Sequence, residues 1–178
     1  MSLRPVPIEI DDIISRKKMY GIIYRRPGIH FRELERETGF ASGTVQYHLS
    51  EMVKSGLLTE VKEGHYTRYY IAQMPLSPQD KRLMSALRRE IPRGMILFIL
   101  EHPSCENREI ARRFEVSAPT ITYHLKRLLA DGIIRAEGET RMQRYFLVDQ
   151  TRAVEVMLAH RKSFVDKMID AFLDGWMK

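Results

Sequence analysis

Apolar residues recur at three-to-four spacing in two stretches that read almost alike. Val45, Leu49, Met52 and Val53 mark one face of a helix opening at Ser42, and Ile121, Leu125, Leu128 and Leu129 mark the matching face of a helix opening near Ala118. Gly56 or Gly132 ends each helix, because glycine takes the left-handed conformation with no Cβ penalty, and a short apolar pair follows. The two stretches are 76 residues apart, and the register holds without a gap from Gly21/Leu97 to Ala72/Val148. About a quarter of the paired positions are identical, so the chain is built twice from one unit.

Around this repeat the pattern predicts the same order of elements in each copy. In the first, Asp11 or Asp12 opens a helix marked by Ile13, Ile14, Met19, Ile22 and Ile23, which ends before the turn Arg26-Pro27-Gly28. A second helix spans Phe31 to Thr38 and closes at Gly39, so the helix from Ser42 follows it across a tight turn, giving a helix-turn-helix. Thr59 to Lys62 and Thr67 to Ala72 are β-prone segments around the turn Glu63-Gly64-His65-Tyr66. The second copy repeats the hairpin as Arg135 to Glu137 and Gln143 to Val148 around Gly138-Glu139. Helix, helix-turn-helix and two-stranded hairpin in that order make a winged helix.

Ser77, Pro78 and Asp80 form a helix start at the join, with a hydroxyl cap, proline at the first helical position and an acid in the first turn. The helix they open carries Leu83, Met84 and Leu87, and Ile91-Pro92 restarts the second unit. A connection this short restricts how freely the units swing. Beyond Asp149, Val154, Met157, Leu158, Phe164, Val165, Met168, Ile169, Phe172 and Trp176 fall at helical spacing, predicting an amphipathic helix over residues 152 to 176 that either pairs with a second chain as a homodimer contact or packs on the repeats of its own chain. The fold class is therefore mainly α with small β-hairpins (α+β). Residues 1–10 are an extended arm, 11–74 the first winged-helix domain, 75–149 the second with its linker helix, and 150–178 the C-terminal helix.

Composition changes the picture little, and charge changes it more. Hydrophobic residues make up 44% and charged residues 29% of 178, with no low-complexity tract, which fits a folded chain. The net charge of +6 suits a polyanion partner where the cations cluster. A single cysteine, Cys105, excludes an intrachain disulfide and reads as a small packing residue. No apolar run approaches the roughly 20 residues that cross a bilayer, and no signal-peptide pattern opens the chain. The expectation is a cytoplasmic protein with no membrane partner.

A helix presented by a helix-turn-helix fits the DNA major groove, where its outer face meets base edges and phosphates. The candidate contacts are Ser42, Gln46, Tyr47, Ser50 and Lys54 in copy one, and Thr122, Tyr123, Lys126 and Arg127 in copy two. Copy two is the more basic. Lys62, His65 and Arg68 on the first hairpin, and Arg141 and Arg144 on the second, are expected to reach phosphates or the minor groove. Arg68 and Arg144 occupy matching positions, which implies a shared role. His48 and His124 sit between a tyrosine and a core leucine with no second histidine four residues away and no thiolate or carboxylate set, so neither a metal site nor a catalytic role is expected. No phosphate loop, nucleophile elbow or paired-carboxylate pattern supports an enzyme, and no cofactor is implied.

The two segments Thr-Val-Gln-Tyr-His-Leu-Ser-Glu-Met-Val-Lys-Ser-Gly-Leu-Leu and Pro-Thr-Ile-Thr-Tyr-His-Leu-Lys-Arg-Leu-Leu-Ala-Asp-Gly-Ile-Ile resemble the recognition-helix signature of ArsR/MarR-type winged-helix transcription regulators. The duplicated form resembles tandem winged-helix regulators of archaea. The resemblance implies sequence-specific binding of double-stranded DNA through the helices and wings named above. The metal-sensor motifs of the metal-responsive members are absent, and Ala41 replaces the N-cap Ser117 of copy two, moving that cap to Ser42. The alternative from another class is a protein-docking tandem winged-helix module of a larger assembly, which near-neutral or acidic recognition surfaces would favour.

Overall fold

The computed structural model describes residues 10–114, 116–139, 142–161 and 164. The chain divides into two compact units, Met1–Pro75 and Leu76–Lys178. Among the described residues no helix is long and apolar enough to cross a membrane.

The first unit runs α1 (Ile10–Arg25), β1 (Ile29–His30), α2 (Phe31–Thr38), α3 (Ser42–Lys54), β2 (Leu58–Glu63) and β3 (Tyr66–Ile71). A reciprocal cap starts α2: Glu33 N donates to His30 Nδ1 at 3.4 Å while His30 N donates to the Glu33 carboxylate at 3.1 Å. Gly39, at φ 71°, ends that helix and returns its N–H to Glu35 O. Ala41 is the N-cap of α3 and supplies no side-chain bond. The cap expected at Ser42 does not form, because Ser42 Oγ donates to the Glu35 carboxylate instead.

The sheet has three strands in the order β1-β3-β2, one more than the hairpin pattern predicts. Two residues are too few to show an alternation, so β1 is defined by pairing, Ile29 opposite Tyr69 and His30 opposite Arg68. Met19, Ile22 and Ile23 of α1 meet Leu34, Val45, Leu49, Met52 and Leu58 in the core. Ile13 and Ile14 are 53% and 58% exposed, so the first turns of α1 stand outside that core despite their apolar pattern.

The second unit runs α4 (Pro78–Leu87), α5 (Glu90–Glu101), β4 (Cys105–Glu106), α6 (Asn107–Arg113), α7 (Ala118–Ala130), β5 (Ile134–Glu137), β6 (Arg144–Leu147) and α8 (Gln150–Ala159). From α5 to β6 it repeats the first unit, including the strand order β4-β6-β5. Ser77 and Asp80 cap α4 reciprocally at 3.0 and 2.9 Å, with Pro78 at the first helical position as the sequence predicts. The helix is more than a connector, since Leu83, Met84, Ala86 and Leu87 are all buried in the core of this unit.

The tail differs from its expectation in the extent of its helix. Helix α8 ends at Ala159, where His160 leaves helical geometry (φ −117°, ψ 23°), and of the expected helix beyond Arg161 only Phe164 lies within the described residues. Ala153, Val156, Met157 and Phe164 are buried in the second unit's own core, while Leu158 is 42% exposed. Burial of side chains the size of Val156 and Met157 stabilises by about 1.5–3 kcal/mol each, which makes α8 part of this unit's fold.

Candidate nucleic-acid interface

In the first unit the inward face of α3 is Val45, His48, Leu49 and Met52, which leaves Ser42, Gln46, Tyr47, Ser50 and Lys54 outward. Tyr47 is 51% exposed and its ring stands edge-on to His48. Positive charge is thin here. Lys54 Nζ lies 3.0 Å from Glu51, and Glu35 holds the hydroxyl of Ser42 at the helix start.

In the second unit Ile121, Leu125 and Leu128 bury the inward face of α7, and Ser117 caps it by accepting from Thr120 N. Tyr123 is 57% exposed and Lys126 is also exposed, while Arg127 is half-buried. Thr122 is half-buried and its hydroxyl donates to Ala118 O at 3.0 Å. Beside this helix a cleft of about 710 Å3 is lined by Arg108 and Arg112 of α6, Lys126 and Thr122 of α7, Gln143 just before β6, and Glu106, whose carboxylate lies 2.8 Å from Arg108 Nε. The floor is apolar, formed by Ala111, Leu125, Leu129 and Tyr145. Arg108 and Arg112 are additions to the residues expected from the sequence. Their i, i+4 spacing on one face of α6 and the matched pair Arg32 and Arg36 were the available signal.

The wings separate into real tips and buried anchors. Lys62 and His65 are exposed. Arg68 is only 7% exposed, which overturns its placement at a wing tip: its guanidinium is bound by the Glu63 carboxylate and donates to Gly28 O at 3.0 Å. The matching Arg144 is exposed but donates to Ser104 Oγ at 3.2 Å, and Ser104 is the repeat partner of Gly28. The shared role of the two arginines is thus to fasten the turn before the short first strand. Both turn residues are left-handed, with φ 78° at Gly28 and 76° at Ser104. Arg141 lies outside the described residues.

The paired histidines are packing groups. His48 is 2% exposed with Nε2 3.8 Å from Asp12, and burial, opposed by Asp12 and aided by Arg16, lowers its pKa. His124 is lowered by burial and then by Arg89 and Arg127. The Nδ1 of each is buried without a hydrogen-bond partner among the described residues, and no cluster of three metal-ligating side chains occurs among them. Burial pushes the Cys105 thiol up to about 11, which keeps it protonated and unreactive.

The electrostatic contrast between units follows from matched positions. Residues 31–54 carry three basic and four acidic side chains, net −1, whereas residues 107–130 carry five basic and two acidic, net +3. Glu35, Glu37 and Glu51 of the first unit stand where the second has Ala111, Arg113 and Arg127.

Comparison with known proteins places both halves. A family model described as an N-terminal HTH domain matches residues 14–83, and a model described as winged helix-turn-helix DNA-binding matches residues 76–135. The chain is 29% identical over 133 residues to an uncharacterized HTH-type transcriptional regulator of Methanocaldococcus jannaschii, covering 75% of this chain and 33% of that protein. It thus spans about a third of that relative's length. A crystal structure of an ArsR family transcriptional regulator is similar at 25% identity and TM-score 0.40, over 50% of this chain and 93% of that one. The mRNA-binding domain of elongation factor SelB from E. coli, solved with SECIS RNA, is similar at 17% identity and TM-score 0.30, over 79% of this chain and 99% of that one. A helix-turn-helix family model thus matches each half of the chain, and both units carry the same helix-turn-helix and three-stranded sheet, so the architecture is two tandem winged helix-turn-helix domains.

Proposed function

We propose that the chain is a transcriptional regulator that binds double-stranded DNA sequence-specifically and draws most of its affinity from the second unit. The observation that carries this reading is the grouping of exposed Arg108, Arg112 and Lys126 around one cleft of the second helix-turn-helix, where Glu106, paired with Arg108 at 2.8 Å, offsets one of the three charges. Cations so placed neutralise phosphates and release counterions, and this sequence-independent term supplies much of the affinity of a DNA-binding protein. Tyr123 and Thr122 on α7 then stand to meet base edges, as Gln46 and Tyr47 do on α3, where glutamine suits adenine. The helix-turn-helix regulator to which the chain is related supports the same direction.

The test is binding of the intact chain to duplexes selected from random sequence, followed across salt concentrations by fluorescence anisotropy. Replacing Arg108, Arg112 and Lys126 with alanine is expected to flatten the salt dependence by about 0.9 for each phosphate that is no longer neutralised. A salt slope unchanged in the triple variant overturns the assignment of this face. A second reading has support in the first unit only: net −1 on its helix-turn-helix, with Tyr47, Leu57, Val61 and Tyr66 exposed, suits docking of another protein.

A further inference from the structure

The second unit holds a half-open cavity of about 270 Å3 that shares no lining residue with the basic cleft. Three stretches distant in sequence meet there: the start of α4, the turn that follows α7, and the passage from β6 into α8. Leu83, Ile133 and Leu147 give it apolar walls, and Asp80, 2% exposed, is set into one of them.

The polar groups leave an excess of acceptors. Asp80 is saturated, taking hydrogen bonds from Ser77 N at 2.9 Å and from Arg152 Nε and Nη2 at 2.8 and 2.7 Å. Asp149 uses Oδ1 alone, capping α8 through Arg152 N at 2.8 Å. Asp131 accepts from Arg82 through its main-chain oxygen, and its carboxylate takes no hydrogen bond among the described residues. Three carboxylates therefore line the cavity against the single guanidinium of Arg152, a net of −2 among the lining residues. The volume is the share of about nine water molecules.

We propose that this cavity binds a small organic ammonium ion carrying an apolar group, and that its occupancy tunes the duplex binding proposed above, on which this second clause rests. Asp131 is half-buried and Asp149 exposed, so the ammonium exchanges water at these carboxylates for ion pairs, and the apolar group covers the walls. Coupling runs through the turn, because Gly132 N and Ile133 N donate to Leu129 O and Leu128 O, both at 3.0 Å, in the last turns of α7. A ligand that bridges this turn to α4 and α8 favours one placement of α7 by as much as its affinities for the alternatives differ.

The experiment titrates the full chain with phenethylamine, and with phenylacetate as the anion of similar shape, following the amide resonances of Gly132 and Ala153 by NMR. Saturable shifts with phenethylamine are expected, with affinity lower by about tenfold for phenylacetate and similarly for Asp131→Asn. Ala153→Leu, which fills the cavity, is expected to abolish them. Absence of saturation, equal binding of phenylacetate, or indifference to Asp131→Asn overturns the site. Duplex affinity that is unchanged by saturating phenethylamine overturns the coupling. A chain that binds phenethylamine but no duplex defeats the DNA-binding reading and leaves the cavity assignment standing.

Discussion

Gly28 lies directly against Tyr70: a Cβ on Gly28 would stand 2.7 Å from the Tyr70 hydroxyl oxygen. The same backbone is at φ 78°, so a side chain here meets both a clash and left-handed strain. The second unit has Ser104 and Phe146 at the matching positions, and there a serine adopts φ 76° and the matched aromatic residue carries no hydroxyl. Gly28→Ser is expected to destabilise the first unit by about 1–3 kcal/mol, and Gly28→Ser with Tyr70→Phe by less, as read from chemical denaturation. Equal destabilisation in the single and double variants would show that the hydroxyl is not the obstacle.

Asp80 and Arg152 give the second unit an acid-sensitive latch. The Arg152 hydrogen bonds pull the Asp80 pKa from 3.8 to about 2, and the Ser77 cap adds to this. A carboxylate depressed in the folded state contributes fully above its unfolded pKa, and that contribution is lost as pH falls from about 4 to about 2. His48 and His124, lowered by burial, add an earlier loss that begins as pH falls through 6.5. Thermal melts from pH 7.5 to pH 2 should show both steps. Asp80→Asn should remove the lower one and cost about 2–3 kcal/mol at neutral pH, and a melting profile with the same lower step in that variant would refute the assignment.

Arg68 and Arg144 should separate from the cleft cations in mutational tests. Arg68→Ala removes the guanidinium that donates to Gly28 O and to the Glu63 carboxylate, so stability is expected to fall by about 1–3 kcal/mol while the salt slope of duplex binding stays as it was. Arg112→Ala is expected to do the reverse. A salt slope that changes with Arg68→Ala would return that side chain to the interface.

Self-association is expected to depend on residues beyond Phe164, where Met168, Phe172 and Trp176 continue the apolar spacing. Truncation has to spare Ala153, Val156, Met157 and Phe164, which the second unit buries. Light scattering should find the intact chain dimeric and a chain ending at Phe164 monomeric at micromolar concentration. An intact chain that is monomeric, or a shortened chain that is still dimeric, rules out the tail as the dimer contact.

Most helices were legible in the sequence because their causes are local, the end of α8 at Ala159 being the exception. Apolar spacing of three to four, Gly39, Gly56 and Gly132 at chain reversals, and Ser77-Pro78-Asp80 at a helix start each act within one or two turns, and the 76-residue repeat doubled the apolar spacing and the Gly56/Gly132 stop. Tertiary structure decided the rest. β1 and β4 exist only by pairing with β3 and β6, which two residues cannot announce. Arg68 has the sequence pattern of a wing cation, yet Gly28 O and Glu63 draw it inward from 40 and 5 residues away. The Ser42 cap gives way to Glu35, an acid on the preceding helix. Arg152 and Asp80 are 72 residues apart and form one ion pair. Local periodicity specifies which residues share a face, but what covers that face, and which charge finds which partner, depends on segments that meet only when the chain folds.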